Sequence, residues 1–543
     1  MRPSFSELRM ATPKSKSRKE IAVDAQDLFK RVSSASEAIS STHTAELVVV
    51  LCGPIGSPLH GVSDTIKQML EEIFAYESCD ILRLSSFISQ YAKDVGVEIP
   101  TRDGFTRIDA QIDAGNKLRE KYGASILAEL AVNKIRVGRE QHKNRTGNEY
   151  HAPRRVCHII DSIKNQEEMD LLRLVYREMA YFVGVSVPMD VRESNLREKG
   201  LENGELHRLF DRDSGEESDT GQTVRDTFPQ CDLFLRIDSD TDTQLKARVE
   251  RFLSLILQSR IVTPTPHEAA MYAAASAATN SACLSRQVGA AIVDKDGQLL
   301  AVGWNDVPQK GGGLYISEPQ DPNGEQDKRC WNRDGGKCFN DQEKKLFAEI
   351  LIDNLGDIVP SAQKAEARKR VENCKKLRSL VEFSRSVHAE MHAIINAGRL
   401  GGQRLVGGKM FVTTYPCHSC ARHIVVAGIS EVFYIEPYRK SLAIKLHGDA
   451  MSEDEADTGK VRVLSFDGVA PGKYLALFKM APDSRKEKGR IKRISAKTAL
   501  PRLDKSLEAL PTLEALVVKS LARKKLITVD PEGPGEAPCP TAA

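Results

Sequence analysis

Four residues in the second half of the chain have the types and spacing of a metal-centred reaction site. His388 and Glu390 stand in SVHAEMHAIINAG, and Cys417 and Cys420 follow in FVTTYPCHSCARHIVVAGI, with Cys417 29 positions after His388. One imidazole and two thiolates suit Zn2+, and three protein donors leave the fourth tetrahedral position open to water. A closed structural site would use four. Zinc lowers the pKa of a bound water from ~15.7 toward ~7. Glu390, two residues from a ligand, is then placed to carry protons as a general acid and base.

A lone C-x-x-C would fit a structural zinc or two unpaired cysteines equally well. The His-Ala-Glu triplet, Pro416 and the flanking helix patterns favour the reacting centre. His392 and His418 lie close in sequence, and supporting or surface roles suit them better than ligation. Cys330 and Cys338, in RCWNRDGGKCFNDQEK, could hold a second, structural metal, although plain buried thiols are the simpler reading.

The elements that must position these groups are visible. A strand-like run, GGKMFVTT, precedes Pro416. A helix opens at His388 and Glu390, continues its apolar face through Met391, Ile394 and Ile395, and ends at Gly398. A second helix opens at Cys417 and Cys420 and ends at Gly428. Two converging helix N-termini bring positive dipole ends to the thiolates and help keep them deprotonated.

The rest of the chain sets the frame. At 543 residues it is too long for one core. With 41% hydrophobic and 28% charged residues, it reads as a soluble globular protein. No apolar run reaches the ~18 residues of a membrane span, and MRPSFSELRMATPKSKSRKE lacks the apolar stretch of a secretory signal. Eleven irregularly spaced cysteines suggest reduced thiols, so a cytoplasmic location is expected. A net charge of +3 does not by itself argue for a nucleic-acid binder.

Strands alternating with helices predict a three-layer α/β unit over residues 44–240, after a basic, disordered tail at 1–43. A linker helix is expected at 241–265, a second α/β unit at 266–481, and a basic, partly disordered tail at 482–543. The first unit opens with LCGPIGSPLHGVSDTIKQML: strand, Gly-rich turn, helix. Backbone amides at such a turn cradle phosphate, which makes Gly53, Gly56 and Ser57 candidate nucleotide-binding residues. The full G-x-x-x-x-G-K-[ST] pattern is not met: Pro58 stands at the second glycine position and no lysine follows.

The H-x-E and P-C-x-x-C pair resembles the signature of zinc-dependent base deaminases. With AAASAATNSACLSRQVGAAIVDKDGQLLAVGWN and VFYIEPYRKSLAIKLHGDA, the chain from about His267 to about Asp449 resembles the deoxycytidylate branch of the cytidine deaminase superfamily. The resemblance implies a cytidine-deaminase-like α/β/α domain, zinc on His388, Cys417 and Cys420, and Glu390 as proton shuttle. It implies also that Asn305 binds the sugar 3′-hydroxyl and that Ala389 touches substrate. Between Asn305 and His388 lies an insert longer than the zinc core needs, and long loops in compact domains are usually functional. This one could cover the pocket or shape it for a phosphorylated substrate.

In the first unit, HIIDSIKNQEEMDLLRLVYREMAYFVGVSVPMDVRESN and LHRLFDRDSGEESDTGQTVRDTFPQCDLFLR resemble the late strand–helix–strand and lid of P-loop nucleotide kinases. Without the lysine, nucleotide sensing or assembly suits this kinase-like unit better than phosphoryl transfer. The whole arrangement resembles the bacterial anti-phage dCTP/dCMP deaminases. That implies conversion of dCTP to dUTP and dCMP to dUMP, with depletion of the deoxycytidine pool in defence. It implies also ATP or another nucleotide at the first unit, an inhibitory small RNA, a homo-oligomer and no membrane association.

Two alternatives belong to other classes. A polynucleotide deaminase acting on RNA or DNA needs a basic channel with aromatic platforms; only 6% of residues are aromatic, and the basic segments lie mainly in the tails. A nucleotide-sensing protein with a purely structural zinc domain would have no use for Glu390.

Overall fold

The computed structural model describes residues 43–527, apart from 103, 148–152, 214–222, 238–241, 322, 379, 438–440, 481–483 and 503–509. The expected tail before His43 and the last sixteen residues lie outside the described residues.

The chain is mixed α/β and contains two six-stranded sheets. In the first, β1 (Leu47–Cys52), β2 (Ser78–Arg83), β3 (Val156–Ile163), β4 (Ala180–Ser186) and β5 (Leu233–Arg236) are parallel, in the order β5-β4-β1-β3-β2. β1 reads LVVVLC and is buried throughout, as a central parallel strand covered on both faces must be. Its side chains alternate between two cores. Leu47, Val49 and Leu51 pack with α1 (Leu59–Glu72), whereas Val48 and Val50 face α2 (Ile126–Thr146) and α3 (Gln166–Tyr176).

The second sheet contains β6 (Gly289–Val293), β7 (Leu299–Trp304), β8 (Lys409–Thr414), β9 (Glu431–Glu436), β10 (Met451–Ser452) and β11 (Val461–Ser465), in the order β10-β11-β9-β8-β6-β7. β6 runs antiparallel to both neighbours, while β8, β9, β10 and β11 are parallel. Helix α4 (Pro266–Ala278) covers one face, where Ala274 meets Ala291 and Phe411 in one core. Helices α5 (Ala389–Gly401) and α6 (His418–Val426) cover the other through Ala393, Ile424, Ile292 and Val412.

One close approach fixes the site. A Cβ on Gly303 in β7 would lie 2.4 Å from the Ala393 nitrogen and 2.5 Å from the Ala389 oxygen. Only glycine lets α5 sit this near the strand, and this seating sets the start of α5, with His388 and Glu390, beside Asn305.

The units are more interwoven than the sequence reading. The two-residue strand β12 (Gly468–Val469) leaves the second unit and pairs antiparallel with β5, extending the first sheet. The chain beyond 482, read as a basic tail, contains helix α7 (Leu510–Arg523), whose Val518 and Leu521 are buried in the first unit's core. Glu514 on α7 lies 3.3 Å from Arg139 on α2, which also holds Glu46 at 2.7 Å. The apolar stripe of LEALVVKSLA makes this helix a core element despite its basic surroundings.

Candidate metal centre and its pocket

His388 and Cys417 occupy equivalent places: each is the extended N-cap of its helix, α5 and α6 respectively. The Cys417 sulfur accepts a hydrogen bond from the Cys420 amide at 3.4 Å, capping α6. The loop before it is tied down by the Tyr415 amide donating to the Glu436 carbonyl at 2.8 Å and the Ser441 hydroxyl donating to the Pro416 carbonyl at 2.7 Å. The result is convergence. His388 Nδ1 lies 3.4 Å from Cys417 Sγ and 3.3 Å from Cys420 Sγ. Among the described residues these three form the one His/Cys/Asp/Glu group whose donor atoms all lie within 4.8 Å of one another.

The three donors shift one another's protonation. The Cys420 thiol and then the His388 ring, against the cost of burial, bring the Cys417 thiol down to about 4. The same Cys417 hydrogen bond, against burial, lifts His388 to about 9. Cys417 raises Cys420, with burial acting in the same direction. One imidazole and two thiols whose donor atoms lie within 4.8 Å of one another fit Zn2+, and binding it would release the protons they carry. Glu390 is 4% exposed and is pushed up to about 7, first by burial and then by the Cys417 charge.

A cavity of about 240 Å3 opens onto these groups and is lined by His388, Ala389, Glu390, Cys417 and Asn305. Asn305 is not a free arm. Its Oδ1 accepts from the Val288 amide at 2.7 Å, and one Nδ2 hydrogen goes to the Arg286 carbonyl at 2.9 Å. The second Nδ2 hydrogen is what its inventory offers a ligand.

His392 is buried, with Nδ1 accepting from the Trp304 amide at 3.2 Å and Nε2 3.1 Å from Asn396 Nδ2. His418 faces Glu382 at 3.3 Å. Cys330 and Cys338 line the pocket with Cys283 and belong to no metal-type group among the described residues. The sequence reading missed Cys283, Arg286 and Tyr415 as pocket residues. Tyr415 carried a signal, since it directly precedes the Pro416–Cys417 step.

Gly53, Gly56 and Ser57 are not part of this centre. They form the turn at the C-terminal end of β1, with Gly56 at φ +89°. The Ile55 amide donates to Asp213 Oδ2 at 2.7 Å and the Ser57 amide to the Pro54 carbonyl at 3.1 Å. Lys164 Nζ donates to the Gly53 carbonyl at 2.7 Å and to Asp213 Oδ1 at 2.9 Å. The turn holds a carboxylate of its own chain.

Residues 264–436 match the model of a family described as the cytidine and deoxycytidylate deaminase zinc-binding region. ComE operon protein 2 of Bacillus subtilis is 41% identical over 56 residues, which are 10% of this chain and 29% of that protein. The deoxycytidylate deaminase of Enterobacteria phage T4 is 29% identical over 164 residues, 30% of this chain and 72% of the relative. Among solved structures, the dCMP deaminase of cyanophage S-TIM5 in complex with dCMP and dUMP aligns at 21% identity and a TM-score of 0.23, over 38% of this chain and 99% of that one. The second unit thus carries a cytidine and deoxycytidylate deaminase domain. No helix among the described residues is long and apolar enough to cross a membrane.

Proposed function

We propose that the chain hydrolytically deaminates free deoxycytidine nucleotides, dCMP and dCTP, in the pocket at the start of α5 and α6. The observation that carries this is Glu390, buried against a three-donor cluster at the wall of a cavity that Asn305 also lines. That the phage T4 relative is a deoxycytidylate deaminase supports a nucleotide substrate. A zinc ion held by His388, Cys417 and Cys420 would supply acidification of a water molecule. Glu390 accepts a proton from the attacking water, delivers it to N3 of cytosine and passes a proton to the leaving amine. The C4–O bond forms, the C4–N bond breaks, and the products are the uracil nucleotide and ammonia. Asn305, held rigid by Val288 and Arg286, presents its remaining amide hydrogen to the sugar. Arg286 and Arg385 line the same cavity as cations for the phosphates.

The first unit is read as a degenerate kinase-like domain that senses nucleotide. The parallel sheet with β1 between β3 and β4, and a Gly-rich turn at its carboxyl end, supports that reading. An anti-phage role, an inhibitory small RNA and a homo-oligomer rest on the sequence resemblance. Ammonia release from dCMP and dCTP tests the activity: Glu390→Ala is expected to keep its zinc and lose turnover. Substantial turnover by that variant would remove Glu390 from the mechanism.

A further inference from the structure

The insert between Asn305 and His388 carries the counter-charge of a buried carboxylate beside the metal-centre pocket. Asp306, next to Asn305, is 1% exposed. Its Oδ2 accepts from the Ala282 amide at 2.9 Å. Its carbonyl accepts from the amide of Val387, the residue before His388, also at 2.9 Å. Backbone amides alone leave the charge of a buried carboxylate costly, and a cation offsets it. Arg329 supplies that cation from within the insert, with Nη1 3.4 Å from Asp306 Oδ2.

Arg329 is itself buried and grips its own turn. Its Nε donates to Asp327 Oδ1 at 3.0 Å, and its Nη2 to Asp327 Oδ2 at 2.6 Å and to the Ser317 hydroxyl at 3.2 Å. The Arg329 amide donates to Asp327 Oδ1 at 2.9 Å. A planar guanidinium joins several oxygens in one fixed geometry, which an ammonium on a flexible stem does less well. Residues 327–330 are thereby fastened to Asp306.

What this turn holds faces the pocket. The Lys328 carbonyl accepts from both terminal nitrogens of Arg385, at 3.3 and 3.2 Å, and the same guanidinium lies 5.0 Å from the centre of the Phe339 ring. Arg385, Phe339 and Cys330 all line the metal-centre cavity. The two arginines of that cavity differ. Arg286 is ion-paired with Glu436 at 2.9 Å. Arg385 is held by a neutral carbonyl and a ring, and among the described residues no carboxylate pairs with it. Its charge remains for an anion.

We propose that Arg329 is a positioning residue for phosphate recognition: it fixes the Lys328 carbonyl, and that carbonyl aims Arg385 at the 5′-phosphate of the nucleotide. The proposal rests on the deaminase reading above. The phosphate is remote from the reacting C4, so Arg385 grips it alike in the ground state and the transition state. Loss of such uniform binding raises KM and spares kcat. An arginine that only stabilised the fold would leave the KM of the folded protein unchanged.

The test uses the full-length, zinc-loaded protein. Arg385→Ala should raise KM for dCMP about tenfold or more and leave kcat within about threefold. Arg329→Ala should do the same with stoichiometric zinc retained, and the double substitution should be no worse than Arg385→Ala alone. Arg329→Lys, which keeps a cation for Asp327, should fall between, and it carries the test where the alanine variant does not fold. An unchanged KM in the Arg329 variant, or a loss confined to kcat or zinc, overturns the positioning. Single effects that multiply in the double variant overturn the route through Arg385. An unchanged KM in Arg385→Ala removes Arg385 as the phosphate cation, and the positioning falls with it. Calorimetric titration of dCMP into the Glu390→Ala background reads the same contacts without turnover and should show the same pattern. If that pattern appears but the unaltered protein releases no ammonia from dCMP, the deaminase reading falls and the positioning stands. Ammonia release without the pattern means the reverse.

Discussion

Both sheets end in a loop that the sequence marks for chemistry, and the two loops differ in what remains for a ligand to do. Gly53–Ser57 follows β1, and Tyr415–Cys420 follows β8; each strand lies inside its sheet and runs parallel to a neighbour. At the first loop, Asp213 takes the Ile55 amide, Lys164 takes the Gly53 carbonyl, and Asn195 Nδ2 takes the Gly56 carbonyl at 2.9 Å. At the second, two cysteine sulfurs and an imidazole nitrogen converge as a donor set that a cation would complete. A motif's residue types say which chemistry is available. Whether the chain's own groups have already used it decides where a ligand goes.

The largest expected effect breaks the second loop. Cys420→Ser should lose stoichiometric zinc by metal analysis and, with it, deamination; chelation of the unaltered protein should do the same, reversed by added Zn2+. Glu390→Gln sharpens the comparison, because it should keep zinc while lowering kcat by about 10^2–10^4-fold.

The next effect falls on the first unit, where buried charge serves structure. Arg139→Ala removes the cation that buried Glu46 and Glu514 share, leaving Glu46 to Arg154 at 3.7 Å and His158 at 3.2 Å, and breaking such a pair costs about 3–5 kcal/mol. Urea unfolding should show that loss, while zinc content of the folded protein is unchanged.

The pH dependence of this cluster has two arms of opposite sign. Burial opposes ionisation of Glu46, but Arg139 and His158 prevail and hold it at about 2. Its stabilisation is present above the unfolded carboxylate value and is lost as pH falls toward 2. Glu514, against the pull of Arg139, is pushed up to about 7 by burial. Its contribution is present below the unfolded value and is lost as pH rises through 7. Glu514→Gln should flatten the decline in urea midpoint between about pH 4.5 and 7 and leave the acid arm in place.

The smallest effect concerns the turn. A Cβ at Gly53 would lie 2.6 Å from the Val185 oxygen, so Gly53→Ala should cost about 1–3 kcal/mol through overpacking. Differential scanning calorimetry should show the loss without a change in bound zinc.

The convergence of His388, Cys417 and Cys420 was legible because its information is local. His388 and Cys417 are helix N-caps, and ligand type, spacing and the flanking helix patterns sit within a few residues of each. The alternation of strands and helices was legible for the same reason. What stayed hidden depends on distant partners. Nothing near Ile55 announces that its amide will meet Asp213, 158 residues on. The two-residue β12 has no strand signature of its own until β5 offers an edge. In α7 the apolar stripe was present, but the basic residues around it dominated the reading of composition.

The most direct measurement sets free nucleotide against polymer. Purified, zinc-loaded protein would be incubated with dCMP, dCTP and cytosine-containing single-stranded DNA at equal cytosine concentration, and the ammonia released followed. The account predicts release from the free nucleotides and little from the DNA. Preferential conversion in the polymer, or no ammonia from any of the three with zinc bound, would contradict it.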